Sequence, residues 1–405
     1  MPHMASVSVG FWVAVGGRHE RPEENGIGHF IEHMLFKGTR RRSARQISED
    51  IEGVGGYLNA FTSEEHTCYY ARAPRRHLDR MIDVLADMFL NPRFDPVEVE
   101  KERGVIKEEI AMYLDQPHQL VQELLNAALW PEHPLGRPLT GTPEGLDRLG
   151  REQLRAYHRS HYTAAQLVVT VAGGVEEREV RRACDALWRR LPAGSQTACV
   201  PAPPADQEPR FRLVTRQVEQ AQLAVGFRTC AHDDPRRFAL RILNAIVGEN
   251  MSSRLFVRLR EDLGLAYAVH SSTSFFRDTG DLAIFCGLDP ANLTRAFRLV
   301  LEELKRLASR APGRAEFERA REYALGQVDL GIEGTENCMN WLGEQFLAHG
   351  RLRSPLTLKQ RLARVTPAEV RRVAADFFRP ERLAVAVVGP VKSLGRLRRW
   401  VGELT

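Results

Sequence analysis

Thirty residues from Gly145, "GLDRLGREQLRAYHRSHYTAAQLVVTVAGG", lie without gaps over thirty from Arg361, "RLARVTPAEVRRVAADFFRPERLAVAVVGP", at a constant offset of 216. Leu146 then falls on Leu362, Leu154 on Val370, Leu167 on Leu383 and Gly173 on Gly389. Each copy reads as an amphipathic helix, a turn and a buried strand ending in Gly. A chain repeated in this way folds as two related units, and 405 residues supply enough apolar surface for two cores. Residues 192–209, "PAGSQTACVPAPPADQEP", are rich in Pro and Ala and have no period, which marks a linker between domains at 1–191 and 210–405.

The rest of each half supports the same division. "ASVSVGFWVAVGG" alternates as a strand, residues 25–38 read as a helix, and "YLNAFTSEEHTCYYARA" reads as a second strand. Helices follow over "HLDRMIDVLADMFL", the long "DPVEVEKERGVIKEEIAMYL" and the repeat segment. In the second half, strands are expected near "RLVTRQVEQAQLAVGFR", "LAYAVHSSTSFF" and "GDLAIFCGL", with long helices elsewhere. The fold class is therefore α+β, two structurally similar domains, each a largely antiparallel sheet packed with long helices.

Composition removes several alternatives. Hydrophobic residues at 43% and charged residues at 27% describe a globular chain rather than a disordered one. No apolar run reaches the length of a membrane span, and the first residues lack the basic-then-apolar pattern of a secretory signal, so a cytoplasmic protein is expected. Six cysteines without a Cys-x-x-Cys pair read as free thiols. A net charge of +5 spread over scattered arginines, without a single basic stripe, argues against a nucleic-acid partner.

Within "NGIGHFIEHMLFKG", His29 and His33 are four apart, so a helix stacks them on one face with Glu32 about 100° round from His33. Two imidazoles at that spacing can hold one Zn²⁺ while a neighbouring carboxylate handles the proton of a water. The order His-x-x-Glu-His inverts the commoner His-Glu-x-x-His. A lone His on an apolar helix is usually an ordinary packing residue, so a third ligand is needed. "EKERGVIKEEI" offers candidates: Glu102 and Glu109, seven apart, share a face with Val105 and Ile106 between them. Taken by itself this segment reads more readily as an exposed acidic helix with Glu/Lys pairs than as a source of metal ligands.

His29-Phe30-Ile31-Glu32-His33 followed by "ERGVIKEEI" resembles the zinc signature of the pitrilysin/insulinase family of metallopeptidases, in particular its short members, similar to mitochondrial and bacterial processing peptidases. The resemblance implies one Zn²⁺ per chain on His29, His33 and Glu109, which selects Glu109 over Glu108. It implies Glu32 as general base and Glu102 as a carboxylate supporting the site. It also implies a strand beside the motif helix that receives peptide substrate through the main chain of Asn59 and Ala60. "MSSRLFVRLREDLGLAYAVHS" resembles the segment whose Arg and Tyr contact substrate, here Arg260 and Tyr267. Short members pair with a second copy or a related subunit, so a homodimer, or a heterodimer, with sites completed across chains is expected. An inactive, peptide-binding subunit is the rival within the family. Family members usually begin with another strand or two before the counterpart of "MPHMASVSVG", so either the start is misassigned or the first strand is missing, and in the second case a sheet edge in the first domain is exposed.

Overall fold

The computed structural model describes residues 1–205 and 208–404; residues 206 and 207 of the expected linker, and residue 405 at the end of the expected second domain, lie outside the described residues. Strand β1 (Ser6–Val13) is buried on both faces from Val7 onward, as a central strand must be. It pairs antiparallel with β3 (Thr67–Pro74) and β4 (Leu167–Gly173), and β3 pairs antiparallel with β2 (Tyr57–Thr62). The order is β2-β3-β1-β4. The stretch expected as one strand, "YLNAFTSEEHTCYYARA", is thus a hairpin. Ser63 turns it without Gly or Pro: its N–H and hydroxyl both donate to the His66 carbonyl, at 2.8 and 2.9 Å.

Helix Leu78–Leu90 covers one face of this sheet, where Phe89 meets Phe11 edge-on. Helix Thr335–His349 covers the other, where Trp12, Cys68, Tyr70 and Met339 cluster. The approach is close enough that a Cβ on Gly343 would sit 2.1 Å from the Trp12 ring, so glycine is required there.

The second sheet runs β5 (Arg210–Thr215), β9 (Leu383–Gly389), β6 (Ala221–Arg228), β8 (Gly280–Leu288), β7 (Ala266–Phe275). Only β5 and β9 are parallel. Helices Arg237–Val247, Leu293–Ser309 and Pro367–Phe377 build its larger core. Helix Pro117–Leu129 packs Leu125 and Leu129 against Ala224, Ala386 and Val388.

The two units interleave in sequence. One contains Met1–Met112, Arg137–Val200 and Gly331–Leu352; the other contains Tyr113–Gly136, Pro201–Leu330 and Arg353–Thr405. This differs from contiguous domains over 1–191 and 210–405, because each half exports one helix to the other's sheet. A sheet has two faces to bury, and local sequence does not specify which helix covers the second. The repeat is preserved in detail: helix Arg151–His161 and β4 correspond to helix Pro367–Phe377 and β9, with every boundary displaced by 216. No helix of the described residues is long and apolar enough to cross a membrane. All six cysteines are free.

Candidate metal centre

Helix Ile27–Leu35 buries Ile27, Phe30, Ile31, Met34 and Leu35, which leaves His29, Glu32 and His33 on the remaining arc. Its first turn is anchored by a residue the sequence did not single out. The buried Glu20 carboxylate accepts the N–H groups of Gly26 (2.8 Å) and Gly28 (2.9 Å) and the Asn25 amide (3.3 Å). These are first-turn donors that no helical carbonyl can satisfy. Gly26 has φ +92°, and a Cβ on Gly28 would come within 2.9 Å of the carboxylate. Burial pushes the Glu20 carboxyl up to about 7, against the pull of these donors.

Glu102 and Glu109 come from helix Pro96–Asp115. His33 Nδ1 lies 3.1 Å from Glu102 Oε2, and Lys37 Nζ lies 2.7 Å from Glu102 Oε1. A proton on Nδ1, held by that carboxylate, leaves Nε2 as the free electron pair of His33. The Nε2 atoms of His29 and His33 lie 3.7 and 3.6 Å from Glu109 Oε2. Those separations are too long for hydrogen bonds. They approach the roughly 3.4 Å expected between two donors each about 2.1 Å from one tetrahedral ion. One ligand atom from each of His29, His33 and Glu109 falls within 4.8 Å of the others. Burial, then the neighbouring His33, lowers His29 to about 4, which keeps it neutral and able to donate to a metal. Two imidazoles and one carboxylate therefore fit zinc as three of its four ligands.

Glu32 sits beside this set and accepts a 2.5 Å hydrogen bond from the Thr62 hydroxyl. Burial raises its pKa, while the Thr62 bond and His33 act in the opposite sense. Thr62, Lys37 and Glu20 are the residues that sequence reasoning missed. Only the Glu-x5-Gly-x-Gly spacing before the motif carries a trace of the last of these.

Asn59 and Ala60 lie on β2, the outermost strand of their sheet. The Asn59 amide donates to the Tyr57 hydroxyl (2.6 Å), and the Ala60 N–H donates to Asn59 Oδ1 (2.9 Å). A side chain therefore occupies a main-chain donor on the free edge. In the other unit, Arg260 lies in the last turn of a short π-helical segment over Phe256–Asp262. Its guanidinium stacks 5.4 Å from the centre of the Tyr267 ring, and Tyr267 is 74% exposed. The expected pair is thus adjacent and open to solvent.

The chain is similar to known proteins over nearly its whole length. Residues 1–143 match the model of insulinase, peptidase family M16, and residues 148–323 match the M16 peptidase inactive domain. An uncharacterised zinc protease of Streptomyces coelicolor is 39% identical over 97% of this chain and 86% of its own. The uncharacterised zinc protease YmxG of Bacillus subtilis is 37% identical over 96% and 94%. A protease structure from Helicobacter pylori superposes with TM-score 0.88 at 21% identity, covering 95% of this chain and 94% of that one, and so reports the fold alone.

Proposed function

Because the chain belongs to the insulinase family of M16 peptidases, we infer that it is a zinc-dependent endopeptidase acting on peptides or unfolded segments. The observation that carries this reading is the convergence of His29, His33 and Glu109 ligand atoms within 4.8 Å, with the Glu32 carboxylate beside them. Zinc on those three residues would supply Lewis acidity toward the scissile carbonyl and toward water. Glu32 removes the proton from the attacking water and returns it to the leaving amine. Its burial raises its proton affinity toward what that exchange needs, and Thr62 fixes its direction. Glu102, backed by Lys37, holds the His33 ring.

Peptide adds to the β2 edge at Asn59 and Ala60, displacing the Asn59 side chain from the Ala60 N–H. Arg260 and Tyr267 donate hydrogen bonds to the substrate carbonyl as charge develops on it. The chain works as a homodimer in which this pair serves the zinc site of the second copy. A variant at His33 mixed with one at Arg260 then recovers part of the activity.

Hydrolysis of an unstructured peptide tests the reading. Cleavage that stops with chelator and returns with zinc supports it. Stoichiometric zinc with no cleavage would favour a peptide-binding subunit instead.

A further inference from the structure

A surface cavity of about 180 Å³ in the first unit shares no residue with the metal centre. Three arginines line it: Arg155 and Arg159, four apart on helix Arg151–His161, and Arg40 from the loop after the motif helix. That loop is tied to the facing wall, because the Arg40 N–H donates to the Asn91 carbonyl (3.1 Å) and the Arg93 N–H to the Gly38 carbonyl (3.1 Å). Among the described residues no carboxylate lines the cavity, and neither Arg40 nor Arg159 has an ion-pair partner. Arg155 shares Glu152 with Arg151, at 3.4 and 3.3 Å. The buried Asp87, which accepts from the Asn91 amide, is already held by Arg42 and Thr39. Single unpaired arginines are ordinary in so Arg-rich a chain, and Arg159 alone would be a last-turn cation at a helix C-terminus. Arg155 and Arg159 at helical neighbours repel each other, and Arg40 adds a third like charge around one opening. The protein itself leaves that concentration of charge unopposed.

The rest of the wall is largely apolar. Leu90, Pro92 and Phe94 line it, and the buried Phe94 ring meets His158 edge-on at 5.5 Å. Phe94 has φ +46°, a region that bulky side chains avoid, and Arg151 donates to its carbonyl at 2.6 Å. Backbone strain of this kind persists only where the surroundings over-determine it, and it gathers at ligand sites. Burial lowers His158 to about 4, although its Nε2 donates to the Phe89 carbonyl, so the ring is neutral and the positive charge is that of the guanidinia. We propose that this cavity binds a small organic phosphate, its oxyanion between Arg40, Arg155 and Arg159 and its carbon part against Leu90, Pro92 and Phe94. Guanidinium forks match phosphate oxygens in pairs, and three of them suit a dianion better than a monoanion. The volume falls below the roughly 300–1,000 Å³ of sites for drug-sized ligands, which limits the occupant to a small one. The site is independent of the endopeptidase reading.

Calorimetric titration of the full chain with phenyl phosphate tests the proposal, at about 0.15 M salt, where attraction to diffuse charge is screened beyond roughly 8 Å. Saturable binding of one phenyl phosphate per chain is expected, and it should survive chelator, which separates this cavity from the metal centre. Arg40→Ala and Arg159→Ala should each weaken it by about tenfold or more. Both side chains are exposed, so these variants should keep the wild-type melting temperature without phosphate. Arg76→Ala, an exposed arginine of the same unit outside the cavity, should leave binding unchanged. Arg159→Lys keeps the charge but loses the fork, and should recover only part of the affinity. Phenyl phosphate should bind several-fold more tightly than inorganic phosphate, and more tightly than the monoanion phenyl sulfate. Binding that is absent, that disappears with chelator, or that is unchanged in both Ala variants would overturn the site. Equal affinity for phenyl and inorganic phosphate would overturn the organic part of the ligand.

Discussion

Strands β4 and β9 are the same strand of the repeat, yet β9 is buried along its whole length while β4 leaves Val168, Val169 and Val171 half-buried. The difference is β5, which pairs with β9 from Arg210↔Ala384 to Thr215↔Gly389, whereas β4 has no outer strand neighbour among the described residues. The outer side of β4 is therefore an edge of the first unit's sheet among the described residues. A second contrast bears on chemistry. Helix Ile27–Leu35 packs on helix Arg151–His161, and helix Arg237–Val247 packs on its repeat counterpart Pro367–Phe377. In the second unit polar groups close on one another. Asn244 donates to Glu249 (2.9 Å) and accepts from Ser271 (2.7 Å), and Glu316 takes Arg254 at 2.7 Å. In the first unit His29, His33 and Glu109 face a common point at distances too long to bond one another. The scaffold is closed at Asn244 and Glu316, where polar groups satisfy each other, and open at His29, His33 and Glu109, where packing holds them apart.

The largest effect that would break this contrast is on turnover. Glu32→Gln should lower kcat/KM by about 10²–10⁴-fold with zinc retained. Asn244→Ala, a change among the closed polar groups of the second unit, should leave zinc content unaltered and cost about 1–3 kcal/mol in a denaturant melt.

Glu20 gives the next effect. Its carboxyl binds a proton more tightly folded, at about 7, than unfolded, near 4.5, so the folded state holds more protons between those values. Its stabilisation is complete below about 4.5 and is lost as pH rises through about 7, by roughly 3 kcal/mol. Zinc-saturated wild type should therefore lose stability relative to Glu20→Gln across that window. A constant difference between the two would refute the assignment.

Glu102→Ala removes the acceptor that fixes His33 and should weaken zinc affinity by about 10–100-fold in competition with a chromogenic chelator. The smallest change is at Thr62. Thr62→Val deletes a donor that favours the Glu32 carboxylate, so the acid limb of the kcat/KM profile should move to higher pH.

Much of this was legible because it is local. The His-x-x-Glu-His spacing needs only a helix to converge, and the repeat located helix Arg151–His161 and β4 by their copies. What was not legible is set by approach in space. Glu109 is separated from Glu108 by the family resemblance and not by local chemistry, and the packing of their helix turns Glu109 inward while Glu108 is exposed. Thr62 lies thirty residues from Glu32 on a different element. The turn at Ser63 is made by a hydroxyl instead of a glycine, which is why two strands read as one. Helix Thr335–His349 buries Thr335, Met339 and Gly343 and carries nothing that names the sheet it covers, so the interleaving of the units left no mark in the periodicity.

The central claim is that His29, His33 and Glu109 hold one metal ion between them. Elemental analysis of purified wild type, Glu108→Gln and Glu109→Gln tests it directly. One zinc per chain in the first two and loss of zinc in the third is the expected result. Zinc retained in Glu109→Gln, or absent from wild type, would contradict the account.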